Sequence, residues 1–195
     1  MATGQNSVEL VDDDVVRSFA RAALLAALLG AVAPIAIPLP FSPAPVTLQT
    51  LIVFLAGLVL GPVWGAVSMT LYLVAGAIGI PVFAGFASGP GILVGETAGF
   101  LWSYPLAAAL VGLIVHRGTD LRDPADEPVW IVVGSLVLAT LLIYAMGAGY
   151  GAWLFQLEPW EALTAYVFPF VPGGVVKIVA AVAIIQSERI SPIGS

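Results

Sequence analysis

Apolar residues run almost unbroken along this chain, interrupted only by proline, glycine and short charged stretches. The blocks show no amphipathic stripe, and a helix that is apolar all round belongs in a core or in lipid. The first block covers residues 16–37 and stops at Pro38, Pro40, Pro43 and Pro45, since proline cannot donate within a helix. A second block, 47–60, meets a tight Gly61-Pro62 turn and a third follows at 63–80. Residues 81–95 are too rich in glycine for a regular helix. Further blocks at 96–116, 129–146 and 172–186 complete six predicted helices, with a short interfacial helix expected over 158–168.

Basic residues fix an orientation, because Lys and Arg concentrate in cytoplasmic loops. With the N-terminus inside, Arg17 and Arg21, then Arg117 and Arg122, then Arg189 all fall on the cytoplasmic side. The three outer connections, 38–46, 81–95 and 149–157, contain no Lys or Arg. Both termini are therefore expected in the cytoplasm. The expected organisation is a polar acidic segment (1–15), one six-helix membrane domain (16–187) and a short cytoplasmic tail (188–195).

Composition sharpens this picture. Hydrophobic residues make up 60% of the 195 positions and charged residues 9%, against about 25% charged in a soluble domain. Such a chain cannot cover its surface with polar groups, so the outer surface faces lipid: an all-α integral membrane protein. The acidic N-terminus before the first block does not look like a cleavable signal peptide, which would start basic. With no cysteine and a single histidine, His116, neither disulfides nor a multi-histidine metal site is expected. No phosphate-binding loop occurs, no cofactor is implied, and a net charge of −6 offers nucleic acid no footprint.

Few residues can carry chemistry. Lys177 lies within the last apolar block, just after Pro169-Phe170-Val171-Pro172-Gly173-Gly174. It either snorkels to the interface or serves an anionic or polar ligand from the second turn of a helix that Pro172 starts. Glu96 is the one acid within the apolar region. It is either a first-turn residue favoured by the helix dipole or a partner for Lys177. Gln49 and Thr47 enter the second helix in PVTLQT, where both could hydrogen-bond a ligand, or Thr47 could simply cap the helix. Phe83 and Phe86 occupy a glycine-rich outer loop, to wall an apolar pocket or to anchor the loop. In the first helix, Ala22/Ala26 and Ala23/Ala27 repeat small residues at helical spacing. That pattern permits close helix approach, either inside the bundle or to another membrane subunit. Gly57, Gly61 and Gly65 share the spacing but are interrupted by Pro62, and His116 reads as an ordinary interfacial residue.

The stretches PVTLQTLIVFLAGLVLGPVWGA, YLVAGAIGIPVFAGF, GILVGETAGF and PFVPGGVVK resemble, in order and spacing, the BioY family of membrane biotin-binding proteins. Those are substrate-capture (S) components of energy-coupling factor (ECF) transporters. The resemblance implies a six-helix fold with a pocket near the outer face, covered by the loops after helices 1 and 3. It also implies biotin as ligand and, as partners, a transmembrane coupling subunit and two ATPases, with the helix 1 alanines facing the coupling subunit. Carried onto this chain, the expected ligand-binding set is Lys177, Gln49, Thr47, Phe83, Phe86, Glu96, Thr97 and Gly174. Two departures stand out: Gly174 where the family pattern has an acid three residues before the lysine, and Glu96 in Gly95-Glu96-Thr97-Ala98-Gly99-Phe100 where the family usually reads G-P-T-G-G-Y. The expectation drawn from them is that Glu96 replaces the lost carboxylate and neutralises Lys177 across the cavity. Alternatives are an S component for another small vitamin-like or anionic ligand, or a stand-alone secondary transporter, which would need coupling-ion carboxylates in broken helices. An intramembrane enzyme lacks the His, Cys or acid pair it would need.

Overall fold

The structure, a computed structural model, describes residues 12–40 and 42–190, with side chains to residue 187. Most of the acidic N-terminal segment and the end of the tail lie outside those residues. Helix α1 (Asp13–Val32) starts where the Asp12 carboxylate accepts the Asp14 amide at 3.0 Å. It ends five residues before the predicted boundary. Pro34 offers no amide, and Ala36–Ile37 instead pairs antiparallel with Val46–Thr47 as a short hairpin, β1–β2.

Next comes α2, one helical run Gln49–Ala77 that breaks at Gly61, whose φ of 73° suits glycine and few other residues. The run folds back there. Gln49 hydrogen-bonds Tyr72, and Gly65 lies against the Ala56 carbonyl, contacts that a straight helix could not make. We call the arms α2a (residues 49–60) and α2b (62–77). Among the described residues five helical runs are long and apolar enough to cross a membrane, and the reversal within α2 turns them into the six expected legs. At 1.5 Å per residue, α2a is about 18 Å long, short of a hydrocarbon core of about 30 Å. Its first residue, Gln49, is buried within the bundle.

Helix α3 (Ala98–His116) packs on both arms, and α4 (Val129–Phe155) packs on α3. The sequence places the end of α4 at residue 146, but the helix continues through Gly147 and Gly151. These glycines do not break it, because each seats an aromatic ring, Phe100 on Gly147 and Tyr166 on Gly151. The short α5 (Pro159–Tyr166) lies where expected and carries a capping box between Glu158 and Glu161. Helix α6 (Val171–Ile190) closes the bundle against α2 and α4. Exposed Trp130 and Trp153 mark the two ends of α4, about 34 Å apart by helical rise, the spacing of two membrane interfaces.

One end of the bundle is shut. Pro62 has no amide to give the Leu58 carbonyl, and His116 supplies the bond instead, its Nε2 lying 3.0 Å from that oxygen. Its Nδ1 accepts the Arg122 amide at 3.0 Å, which tethers the α3–α4 loop over the turn. His116 is 1% exposed, so it is a structural staple rather than an ordinary interfacial residue. Gly112 packs directly on the backbone of Gly61 and Pro62, while Gly57 packs on the Ala108 carbonyl. The glycine repeat that Pro62 interrupts in sequence is thus a packing seam in space.

Candidate functional site

The opposite end of the bundle holds a cavity of about 800 Å³. Its roof is the β1–β2 hairpin and the loop between α2 and α3; its walls come from α2a, α3, α4 and α6. The loop is held down at several points. Phe83, 1% exposed, fits its ring into the notch at Gly76 and meets Tyr72 edge-on at 5.5 Å. Trp102 Nε1 donates to the Leu93 carbonyl at 2.9 Å, and the Tyr150 hydroxyl donates to the Val94 carbonyl at 2.9 Å.

Most of the lining is apolar, and its polar groups gather in two places. On one side the Thr47 hydroxyl donates to Gln49 Oε1 at 2.8 Å, and Gln49 Nε2 donates to the Tyr72 hydroxyl at 2.7 Å. The Tyr104 hydroxyl adds a longer bond to Gln49 Oε1 at 3.4 Å. A glutamine amide has two N–H donors, so one remains for a ligand. On the other side Lys177 enters from α6, with Tyr144 and Phe170 nearby in the lining. The Tyr144 hydroxyl donates to the Phe170 carbonyl at 2.8 Å. Among the described residues Lys177 has no ion pair. A recessed, mostly apolar cavity with a few convergent polar groups is the usual form of a small-molecule site.

Residues 4–191 match the BioY family. This chain belongs to the BioY family. It is 42% identical over 153 residues to the biotin transporter BioY of Rhodobacter capsulatus, covering 74% of this chain and 77% of the relative. It is 32% identical over 169 residues to the biotin transporter BioY of Thermotoga maritima, covering 87% and 94%. The fold matches the crystal structure of the S-component for biotin from an ECF-type ABC transporter with a TM-score of 0.79, covering 93% and 95% at 23% identity. The multi-pass membrane architecture follows from the family and the apolar helices together.

Of the ligand set expected for this BioY-family chain, the cavity gathers Lys177, Gln49, Thr47, Phe83, Glu96 and Thr97. It does not gather Phe86 or Gly174. Phe86 is 71% exposed, with φ of 62°, and is not part of the cavity lining, so it is no pocket wall. Phe83, expected as a loop residue outside the core, is a core residue that also lines the cavity. Gly174 is covered by Tyr144: a Cβ there would stand 2.6 Å from the tyrosine hydroxyl. Glu96 is exposed and forms no ion pair with Lys177, so the expected neutralisation across the cavity is not made.

The alanine pairs of α1 divide. Ala22 and Ala26 are buried against the bundle, with the Ala22 carbonyl accepting the Ser68 hydroxyl at 2.8 Å. These two are internal packing and not a docking surface. Ala27 is exposed and Ala23 half-buried at the edge of that packed face. Sequence reasoning missed Tyr72, Tyr104 and Tyr144, which sit in apolar runs where tyrosine is unremarkable. One signal was available. Folding the chain at Gly61 places Gln49, twelve residues before it, beside Tyr72, eleven after.

Proposed function

We propose that this protein is the substrate-capture membrane subunit of a biotin uptake system, energised by a separate coupling subunit and two ATPases. The observation that carries this reading is the cavity itself, closed at one end of the bundle and roofed by loops, in a chain of the BioY family. Biotin's bicycle and tail suit the apolar walls, its ureido group suits the Gln49–Thr47 side, and Lys177 offers a cationic donor. By the positive-inside rule the cavity faces outward, because Arg17, Arg21, Arg117 and Arg122 all lie toward the end that bears the Gly61 turn. Both termini are then cytoplasmic. Exposed Ala27, with half-buried Ala23 one turn before it, forms the surface for the coupling subunit.

Titration calorimetry of the full chain in lipid nanodiscs tests the ligand. Biotin should bind, and Lys177→Ala should weaken it by about tenfold to a hundredfold, the range of a charge-assisted hydrogen bond. Unchanged affinity would return Lys177 to a snorkelling role. For the partner, Ala27→Trp should abolish uptake of labelled biotin in cells while leaving binding and thermal stability intact. Normal uptake by both Ala27→Trp and Ala23→Trp would remove α1 as the docking surface.

A further inference from the structure

The Tyr166 hydroxyl is fully buried and has no hydrogen-bond partner among the described residues, and such an orphan is costly. Its ring rests on Gly151 and stacks on Phe100, with centroids 6.0 Å apart and planes 24° off parallel. Phe100 is a cavity wall, and so is Glu96 just before α3. The roof loop reaches the same part of α4, where the Val94 carbonyl accepts the hydroxyl of Tyr150, the residue next to Gly151. Glu96, two residues beyond Val94, therefore stands near Tyr166, and its carboxylate is a charge whose field the hydroxyl feels. That carboxylate is exposed and has no ion pair among the described residues. A buried donor without an acceptor thus lies beside an acceptor left to solvent.

We propose that Glu96 and Tyr166 are the two halves of a latch that holds the roof loop shut over a bound ligand. This rests on the reading of the cavity as a ligand site. The chain is pinned before Glu96 by Trp102 and Tyr150, and after it by the buried start of α3. The carboxylate therefore moves by turning its side chain, not by moving the loop. In the free protein it gains more from solvent than from a hydroxyl in an apolar nook. A ligand in the cavity takes that solvent away. The Tyr166 hydroxyl then replaces it with a charge-assisted bond, stronger where water is scarce. Closure follows occupancy, and the ligand is retained behind the bond. The proline usual at this position in the family pattern has no acceptor in its side chain, so the latch belongs to chains that carry an acid here.

Release of labelled biotin from the full chain in nanodiscs, chased with unlabelled biotin, tests the latch. Tyr166→Phe keeps both ring contacts and should speed release about tenfold, the low end for a bond to a charged group. Glu96→Ala should do the same, and Glu96→Gln, which keeps an acceptor without the charge, should do less. The double variant Tyr166→Phe/Glu96→Ala should release no faster than either single one. The thermal midpoint of ligand-free Tyr166→Phe should hold or rise, because no bond is lost there. An unchanged release rate in Tyr166→Phe would overturn the proposal, as would single effects that multiply in the double variant. So would a lower midpoint for ligand-free Tyr166→Phe, because the hydroxyl would then already have its acceptor. If biotin does not bind at all, the biotin reading fails by itself. The latch is then read from thermal stabilisation by hexanoate, an apolar tail with one carboxylate. A shift that shrinks in Tyr166→Phe and Glu96→Ala alike, and no further in both together, sustains the proposal; an unshrunk shift overturns it.

Discussion

The two ends of this bundle are built from the same helices and treat polar groups in opposite ways. At the shut end, the carbonyl that Pro62 strands is met by His116, and the histidine's second nitrogen is used to hold the next loop. Glycines there, at 57 and 112, bring backbone against backbone. At the cavity end, Lys177 has no ion pair and the buried Tyr166 hydroxyl has no hydrogen-bond partner among the described residues. There the helices leave a cavity between them that loops roof. An end whose polar groups are satisfied internally has nothing left for a ligand, while an end with unused donors does. The difference separates the part of the molecule that holds the fold from the part that binds.

The largest expected effect lies at the shut end. A side chain at Gly112 would run into the backbone of Gly61 and Pro62, which cannot turn aside as a flexible side chain would. Gly112→Val should cost about 3 kcal/mol or more, beyond ordinary overpacking, seen as a large fall in thermal midpoint in detergent. Gly134→Ala, with nothing within 4 Å of the added carbon, should stay within about 0.5 kcal/mol. Equal tolerance at both sites would show that the shut end is not rigid.

Next in size is His116→Ala, which leaves the Leu58 carbonyl and the Arg122 amide without their partner. An orphaned buried polar group costs about 1–3 kcal/mol. Stability should fall within that range while biotin affinity stays unchanged, because the cavity lies at the far end of α3. A tenfold loss of affinity would instead show that the two ends are coupled, and the comparison above would need redrawing.

The sequence makes the six legs legible because a lipid-facing helix advertises itself by composition. Lys177 and Gln49 were legible for the same reason, as polar residues where an apolar one is cheap. What stayed hidden depends on side-to-side relations. Gly147 and Gly151 read as a helix end, yet they are seats for Phe100 and Tyr166 that exist only once α3 and α5 arrive. The two alanine pairs of α1 are chemically equal, and the packing of α2b, with Ser68 bonded to the Ala22 carbonyl, makes Ala22 internal. Charge and the acid missing at position 174 pair Glu96 with Lys177 in the sequence, but the roof loop leaves Glu96 exposed. The strands β1 and β2 were missed because two residues each leave no alternation to detect.

The smallest expected effect sharpens what the cavity end requires. Gln49 is useful to a ligand only if its amide is held, and the shortest bond holding it is Nε2 to the Tyr72 hydroxyl, at 2.7 Å. Tyr72→Phe removes that acceptor while keeping the ring that packs edge-on against Phe83. The lost bond is worth about 1 kcal/mol of stability. The amide, still tied to Thr47 through Oε1, gains freedom to turn. Fixing it again on binding should weaken biotin by roughly fivefold, about 1 kcal/mol. Tyr104→Phe removes a longer bond of 3.4 Å from the same amide and should do less. The decisive measurement is the order of the two variants in one calorimetric series. If Tyr104→Phe weakens binding more than Tyr72→Phe, the Tyr104 hydroxyl touches ligand directly. If neither changes affinity while Gln49→Ala does, the amide is positioned by Thr47 alone, and the buried tyrosine serves only the fold.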